Sequence, residues 1–502
     1  MAERTSFLLR LVVAIVCPVA AAAAFPKYNV WPLAFVAFAP LFWLWSTSSW
    51  KAALGWCVLS CTIFFLIVDK WMIFSLGDEI GNARFVAIGL LSFIESLFAA
   101  LGAIAMSLLA RGRFSAPMVF AAPAAWLIAE SIRTNGEASM PFAQLGAIAP
   151  HVSFLLPMAA YAGIYGLTAI IALCNGAVAG LVFGDRRTRV TGAAALGLLV
   201  VAVAIGTQVR TTVKLPPATT RVAIVQGNIS QRVKWSPARF AETMSTYGSL
   251  TRRAAATGAR IVVWPETAIT DFPLEKPEIF SQLQAIVREQ HIWLLAGTVD
   301  SPARGETYNI VMTMDPLGQL GDVYRKHILV PFAEYLPLDW LFRRFPGFDQ
   351  ASTFTHGPGA QLLRVEDNRF GPLICFESAY SSYARQTVLL GATSLLIITD
   401  DAWFGNTSGP VIHADLAAID AVETGRWVVR GADTGISQFI DPRGRLISQL
   451  PLDTRGVLVA NIGAPIDTPY VRFGAAWLEV LAVFALLVAA VVRPAAEKKP
   501  RR

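Results

Sequence analysis

The sequence predicts a polytopic bundle of about eight transmembrane helices joined to one α/β domain outside the membrane. Of the 502 residues, 55% are hydrophobic and 15% are charged, whereas about 25% of the residues in an ordinary soluble protein are charged. Apolar stretches long enough to cross a bilayer flank one long polar segment, in which short apolar strands alternate with helical patterns. Part of the chain therefore lies in lipid, and the polar segment is long enough to fold as its own domain.

Seven apolar stretches precede the polar segment and one follows it. A helix needs about 20 mostly apolar residues to span the hydrocarbon core, and the stretches lie at roughly 6–24, 29–47, 52–69, 85–110, 116–131, 152–183, 190–208 and 473–492. We therefore expect a membrane domain of seven helices over residues 1–213 and a C-terminal transmembrane helix over residues 470–493. Residues 1–25 also have the basic start, apolar run and small residues of a signal peptide, but we favour an uncleaved span.

Lysine and arginine residues orient this bundle. They lie at the chain start and after the second, fourth, sixth and eighth spans: Arg4, Arg10, Lys51, Arg111, Arg113, Arg186, Arg187, Arg189, Lys498, Lys499, Arg501 and Arg502. Short loops rich in basic residues stay in the cytoplasm, so both termini are expected there. The domain after the seventh span is then outside, which in a Gram-negative bacterium is the periplasmic side of the inner membrane. The net charge of +7 belongs to these loops and does not indicate nucleic-acid binding.

One carboxylate lies inside a predicted span. Glu95 is in the middle of "LLSFIESLFAA", and an acid at that depth is costly enough to suggest a function. The alternative is a protonated acid that is hydrogen-bonded within the bundle, and we favour that alternative.

The polar segment, residues 219–466, has the pattern of an α/β domain. Its strands are apolar throughout, as in "ARIVVWPETAI" and "ATSLLIITDDAWFG", which indicates a sheet covered on both faces. In such sheets the chemistry gathers where strands end. Glu266, Cys375 and the pair Asp400 and Asp401 all follow a predicted strand directly. We interpret the two aspartates as acids that fix a loop.

Cys375 is the only cysteine in this segment, since the other four lie in apolar runs. This excludes a disulfide within the domain and a zinc site with several cysteines. A buried structural thiol remains possible, and so does a nucleophile activated by a nearby base or cation. Glu266 and Lys326 offer a base and a cation that could stabilise an oxyanion. Spacing alone does not decide between these alternatives, because any domain of this size contains such residues.

The sequence motifs around these residues are more specific than the spacing between the residues. "WPETA", "YRKHILVPFAEYLP", "ICFESAY" and "TDDAWFG" occur in this order and resemble the nitrilase, or carbon–nitrogen hydrolase, superfamily. With seven apolar spans before the segment and one after it, the whole chain resembles the bacterial apolipoprotein N-acyltransferase family. The resemblance implies an αββα sandwich on the periplasmic face of the inner membrane. It also implies transfer of an acyl chain from a phospholipid, commonly phosphatidylethanolamine, through a cysteine thioester to the α-amino group of a diacylglyceryl-cysteine at the N-terminus of an apolipoprotein.

The resemblance also assigns roles to residues. Glu266 matches the general base, Lys326 the lysine that stabilises the oxyanion, and Cys375 the nucleophile. Four further positions match supporting residues: Glu334 as an acid that orients Lys326 or relays protons, Phe376 through its backbone N–H to the oxyanion, Glu377 as a further acid near the site, and Trp235 in a stretch close to it. Phe376 stands where some relatives have tyrosine, and Asp433 stands where asparagine is commoner.

The expected partners follow from this reaction. They are the phospholipid donor, the apolipoprotein acceptor and the membrane, with no nucleic acid, no cofactor and no metal, because the histidines are too scattered for a metal site. We expect a monomer. Two other readings remain: a membrane-tethered amidase that uses water as acceptor, for which eight spans are a large anchor, and a non-catalytic lipoprotein-binding module, against which the intact Glu266, Lys326 and Cys375 argue.

Overall fold

The computed structural model describes residues 2–75, 81–136, 139–337, 339–344 and 354–492. It contains two compact units. The first, here called the membrane unit, comprises Met1–Met158, Ile164–Val209 and Ala475–Arg502. The second, here called the α/β unit, comprises Ala159–Gly163 and Arg210–Gly474.

Helices occur in both units. In chain order the α-helices of the described residues are α1 Ala2–Ala22, α2 Ala39–Ser46, α3 Trp50–Val68, α4 Met72–Ser75, α5 Ala83–Ala110, α6 Met118–Arg133, α7 Ala159–Phe183, α8 Arg186–Thr212, α9 Gln231–Lys234, α10 Phe240–Ala256, α11 Pro277–Gln290, α12 Asp339–Phe342, α13 Ser381–Leu389, α14 Gly409–Thr424, α15 Pro469–Phe473 and α16 Ala476–Val491. Helix α7 is kinked at Ala162 and Gly163, whose backbone torsions are not helical.

Four of the apolar helical segments are long enough to cross a membrane. Within the described residues they are Trp50–Val68, Ala83–Ala110, Leu156–Phe183 and Arg186–Thr212. Shorter apolar helices cover Ser6–Ala22, Trp31–Ser46 and Ala476–Val491. Large apolar side chains such as Val86 and Leu198 are exposed on these helices, which suits a lipid surrounding in which backbone polar groups are satisfied within the helix. The predicted helical membrane region is confirmed at this level, and the count of about eight spans stays a prediction.

Glu95 has a cationic partner in the membrane unit. Arg133 Nη1 lies 2.7 Å from Glu95 Oε1 and also donates to the Met140 carbonyl at 2.7 Å. Both charged side chains are buried. The acid that we expected to be protonated therefore lies within ion-pair distance of an arginine, which is the last residue of α6.

The strands of the α/β unit form two six-stranded sheets. The strands are β1 Ala218–Gln226, β2 Ile261–Trp264, β3 Trp293–Asp300, β4 Tyr308–Met314, β5 Leu320–Arg325, β6 Leu363–Val365, β7 Asn368–Ile374, β8 Ser394–Thr399, β9 Trp427–Ala432, β10 Ser437–Ile440, β11 Leu446–Leu450 and β12 Gly456–Gly463. The first sheet has the order β12-β1-β2-β3-β4-β5 and the second β11-β10-β9-β8-β7-β6. Strands β1, β2 and β3 are parallel to one another, as are β7, β8 and β9, and the remaining pairs are antiparallel.

The two sheets pack face to face. Successive side chains of a strand point to opposite faces of its sheet, so Ile224 and Val263 lie on one face while Ala223 and Val262 lie on the other. The first pair belongs to an apolar core shared with the second sheet, and the second pair packs against helices α10 and α11. Side chains of α13 and α14 extend the shared core beyond the second sheet. This helix–sheet–sheet–helix order confirms the predicted α/β domain.

Four strands end where the sequence analysis placed candidate site residues. Strand β2 ends two residues before Glu266, β5 ends just before Lys326, β7 ends just before Cys375, and β8 ends just before Asp400. The sheets therefore deliver these side chains to one end of the sandwich.

Candidate active site

Cys375 lies at a sharp turn between β7 and a short 3₁₀ helix, Cys375–Ala379. Its backbone φ is 52°, a left-handed conformation that costs a residue other than glycine roughly 1–3 kcal/mol and that persists only where surrounding contacts enforce it. The residue as a whole is half-buried. A strained turn that presents a thiol at the end of a buried strand suits a nucleophile better than a packed core cysteine.

Glu377 holds this turn in place. Its carboxylate is buried and accepts four hydrogen bonds of 2.6 to 3.0 Å, from the Tyr324 hydroxyl and from the backbone N–H groups of His327, Ile328 and Ile374. Three of the donors lie on the segment that carries Lys326, and the fourth immediately precedes Cys375. The predicted acid near the site therefore ties the lysine segment to the cysteine turn.

Lys326 lies between two carboxylates. Its Nζ is 2.8 Å from Glu334 Oε1 and 3.5 Å from Glu266 Oε1. Asn309 Nδ2 donates to the same two oxygens, at 2.7 Å to Glu266 and 3.3 Å to Glu334. The Val330 N–H donates to the other oxygen of Glu334 at 2.8 Å. Glu334 is thus placed to orient Lys326, as predicted, and Asn309 bridges the two acids.

The charges around Lys326 keep it cationic. Burial alone would lower its pKa, but the carboxylates of Glu334 and Glu266, together with Cys375, outweigh burial and hold the pKa of Lys326 above its ordinary value. A lysine in these surroundings suits the predicted role of a positive charge beside an oxyanion better than that of a base.

The surroundings of Cys375 favour the neutral thiol over the thiolate. Burial raises its pKa well above the ordinary value, and the nearby Glu266 carboxylate raises it further, while Lys326 opposes these effects. A thiol of this kind needs a base to remove its proton during the attack. Glu266 is a carboxylate close enough to influence the thiol, and its acceptor atoms are held by Asn309 and by the backbone N–H of Asp400, which donates to Oε2 at 2.8 Å.

A buried network contacts the backbone carbonyl of Cys375. His413 Nε2 lies 3.1 Å from the Cys375 carbonyl, and its Nδ1 lies 2.9 Å from Asp401 Oδ1. Arg430 donates to Asp401 Oδ2 at 2.8 Å and Thr399 donates to Oδ1 at 2.8 Å. Burial would raise the pKa of Asp401, but Arg430 and His413 outweigh it and hold that pKa well below its usual range. Asp401 therefore links Thr399, His413 and Arg430, which agrees with the loop-fixing role that the sequence analysis proposed for it.

The two remaining predicted residues occupy different surroundings. Phe376 is buried and packs edge-on against Tyr380, with ring centroids 5.2 Å apart. Its backbone N–H as an oxyanion donor stays a prediction. Trp235 directly follows α9 and is 47% exposed, and its neighbour Lys234 bonds to the backbone of Glu266, so this stretch borders the site.

The structure also adds residues that the sequence analysis missed. Asn309 bridges the two acids of the lysine cluster, and Lys234 contacts the segment of the proposed base. Asn309 has no predicted site residue beside it in the sequence, whereas Lys234 directly precedes Trp235, so the stretch was predicted but the lysine was not. Among the described residues, no group of three or more histidine, cysteine, aspartate or glutamate side chains is arranged to bind a metal ion.

Two family models match the chain. The one described as apolipoprotein N-acyltransferase N-terminal domain matches residues 19–177, and the one described as carbon-nitrogen hydrolase matches residues 221–466. The apolipoprotein N-acyltransferase of Azotobacter vinelandii is 33% identical over 492 residues, which cover 94% of this chain and 92% of the relative. The enzyme of the same name from Geobacter metallireducens is 30% identical over 462 residues, which cover 89% and 88%. A solved amidase structure from Nesterenkonia sp. matches 53% of this chain and 98% of its own, with 19% identity and a TM-score of 0.41.

Proposed function

Because this chain belongs to the apolipoprotein N-acyltransferase family, we propose that it transfers a fatty acyl chain from a phospholipid to the N-terminal amine of a diacylglyceryl apolipoprotein. The single observation that carries this proposal is that relatives of this name match nearly the whole chain, through both the apolar N-terminal region and the carbon–nitrogen hydrolase region. An amidase that acts on a soluble substrate would need only the second region, so the water-using alternative is not favoured.

The first half of the reaction loads the enzyme. Glu266 removes the proton of the Cys375 thiol as the sulfur attacks the ester carbonyl carbon of the phospholipid. The tetrahedral oxyanion lies next to the Lys326 ammonium and the Phe376 N–H, which stabilise it. The intermediate then collapses, the carbon–oxygen ester bond breaks, and the lysophospholipid alkoxide takes the proton from Glu266. A thioester on Cys375 remains.

The second half uses the same groups in reverse. The α-amino group of the apolipoprotein attacks the thioester carbonyl, and the oxyanion again lies beside Lys326. The amine proton passes to Glu266 and from there to the departing Cys375 sulfur, so that an amide forms and the free thiol is restored. In both halves Glu334 holds Lys326 in position, since its oxygen is only 2.8 Å from the ammonium.

The location and the donor are part of the proposal. The basic loops of the sequence place both termini in the cytoplasm and the catalytic domain, residues 219–466, on the periplasmic side of the inner membrane. We also propose a seven-helix membrane domain over residues 1–213 and a final transmembrane helix over residues 470–493. The proposed enzyme is a monomer. Phosphatidylethanolamine is the proposed donor. A two-tailed lipid does not readily leave the bilayer, because each buried CH₂ contributes about 0.8 kcal/mol, so the enzyme must work at the membrane surface.

A two-substrate assay tests the function. The purified full chain is incubated with vesicles of phosphatidylethanolamine that carries a labelled acyl chain, with and without a synthetic diacylglyceryl-cysteine peptide. We expect labelled amide on the peptide, formed by the wild type and not by Cys375→Ser. Release of labelled fatty acid without any acylated peptide would overturn the proposal and favour the amidase.

A further inference from the structure

A second buried lysine lies beside the proposed base. Lys234 is the last residue of α9, and its side chain is 1% exposed. Its ammonium has three acceptors: Asp400 Oδ2 at 2.6 Å, the Glu266 backbone carbonyl at 3.1 Å and Asp433 Oδ2 at 3.3 Å. The first two contacts are hydrogen bonds, and the third is an ion pair without hydrogen-bond geometry. All three partners of the ammonium are protein groups.

Glu266 is held at both ends by this arrangement. Lys234 holds its backbone carbonyl directly. The residue that receives the shortest bond from Lys234, Asp400, donates its own backbone N–H to Glu266 Oε2 at 2.8 Å. Asp400 is in turn fixed by the Ala402 N–H, which donates to Oδ1 at 3.2 Å. The main chain and the carboxylate of Glu266 are therefore both set by contacts that begin at Lys234.

Asp433 connects Lys234 to helix α10 and to the segment that follows β1. Asp433 accepts the Tyr247 hydroxyl at 2.9 Å and the Ile229 N–H at 3.2 Å on the oxygen that does not face the lysine. Burial would lower the pKa of Lys234, but Asp400 and Asp433 outweigh it and hold that pKa above its ordinary value. Burial raises the pKa of Asp400 to about 6, against the opposing effect of Lys234.

We propose that Lys234 is a positioning residue for the general base, which it holds through the Glu266 carbonyl and through Asp400, in the acyl transfer proposed above. Lys326 contacts the carboxylate of Glu266, next to the reacting atoms. Lys234 contacts the backbone carbonyl of the same residue. The two lysines have separate tasks, since only Lys326 faces Cys375. Removing Lys234 lets Glu266 shift within its pocket without removing any group that touches substrate.

The test separates positioning from charge balance. A lone Lys234→Met change would leave Asp400 and Asp433 buried without a cation, which endangers folding. We therefore compare Asp433→Asn, in which Lys234 and Asp400 balance each other, with Asp433→Asn/Asp400→Asn/Lys234→Met, in which all three side chains are neutral, so that neither variant leaves one of these buried charges unpaired. Both are measured as full chains in lipid nanodiscs that contain phosphatidylethanolamine. The readouts are the first-order rate of thioester formation at saturating donor and the donor concentration that gives half that rate, each referred to the folded fraction.

A misplacement of about 1 Å at a reacting group lowers rates by up to about 100-fold. We expect the triple variant to acylate roughly 10- to 100-fold more slowly than Asp433→Asn at saturating donor, with little change in the half-saturating concentration. Equal rates in the two variants would show that Lys234 only balances the two aspartates, and would overturn the proposal. A change confined to the half-saturating concentration would also overturn it, because that result indicates donor binding. If the wild type forms no thioester, it is the proposed function that fails.

Discussion

Gly297 allows β3 to pass directly beneath the proposed base, and replacing it with alanine should displace that base. A Cβ at this position would overlap the Pro265 carbonyl oxygen and would lie 2.7 Å from the Glu266 Cα and 2.9 Å from Ile398 Cδ1. The isoleucine methyl can rotate away. The other two atoms belong to the backbone that presents Glu266 and have no such freedom.

The expected size of the effect follows from these distances. Opening a 2.7 Å contact to an ordinary van der Waals separation moves the Glu266 backbone by about 0.7 Å, and displacements of this order lower rates by roughly 10- to 100-fold. Overpacking in a well-filled core also costs about 1–3 kcal/mol of stability. We therefore expect Gly297→Ala to fold with a lower melting temperature and to form the Cys375 thioester at least tenfold more slowly.

The assay is the rate of acyl-enzyme formation from phosphatidylethanolamine, with Gly248→Ala as the matched control. The control methyl group would lie 3.6 Å from Ile286 Cδ1 and meets no backbone, and alanine stabilises a helix by about 1 kcal/mol relative to glycine. It should leave the acylation rate unchanged. A Gly297→Ala enzyme that acylates at the wild-type rate would refute the proposed position of Glu266 as the base.

Three further changes test other parts of the site. Glu334→Gln keeps the shape of the side chain but replaces a charge-assisted hydrogen bond to Lys326 with a neutral one, which is weaker by about 1–2 kcal/mol. Thioester formation should therefore slow by about 5- to 30-fold. An unchanged rate would show that Glu334 does not orient Lys326. Glu266→Gln removes a charge that raises the pKa of Cys375, so alkylation by iodoacetamide at pH 8 should become faster while acylation stops, and slower alkylation would contradict this. Asp401 has a lowered pKa in the folded protein, so its contribution to stability is full above the unfolded pKa near 4 and is lost as the pH falls through the folded value. Asp401→Asn should therefore cost about 3–5 kcal/mol at pH 7 and less below pH 4, measured by thermal unfolding in detergent, and an equal loss at both pH values would contradict this assignment.

The sequence pattern was sufficient to predict the α/β domain and the residues at which its site-bearing strands end. Continuous apolar strands such as those before Glu266 and Cys375 indicate burial on both faces, and side chains that follow such strands must emerge at the same end of a sheet. This reasoning could bring Glu266, Cys375 and Asp400 together without any knowledge of the loops between them.

The sequence pattern could not predict contacts between segments that are far apart along the chain. Asn309 meets Glu266 across 43 residues, and Lys234 meets Asp400 across 166 residues, and no periodicity encodes such pairs. Arg133 meets Glu95 across 38 residues, and the sequence analysis did not identify this partner. Tertiary packing, and not local propensity, decided each of these contacts.

The central claim is that Cys375 carries the acyl chain. Intact-protein mass spectrometry of the purified chain after incubation with phosphatidylethanolamine, beside Cys375→Ser, tests it most directly. We predict a mass gain of one fatty acyl group on the wild-type protein. Hydroxylamine should remove this group, and a peptide map should place it on Cys375. The serine variant should form no hydroxylamine-labile thioester. A folded wild-type protein that remains unmodified, or an adduct on another residue, would contradict the claim.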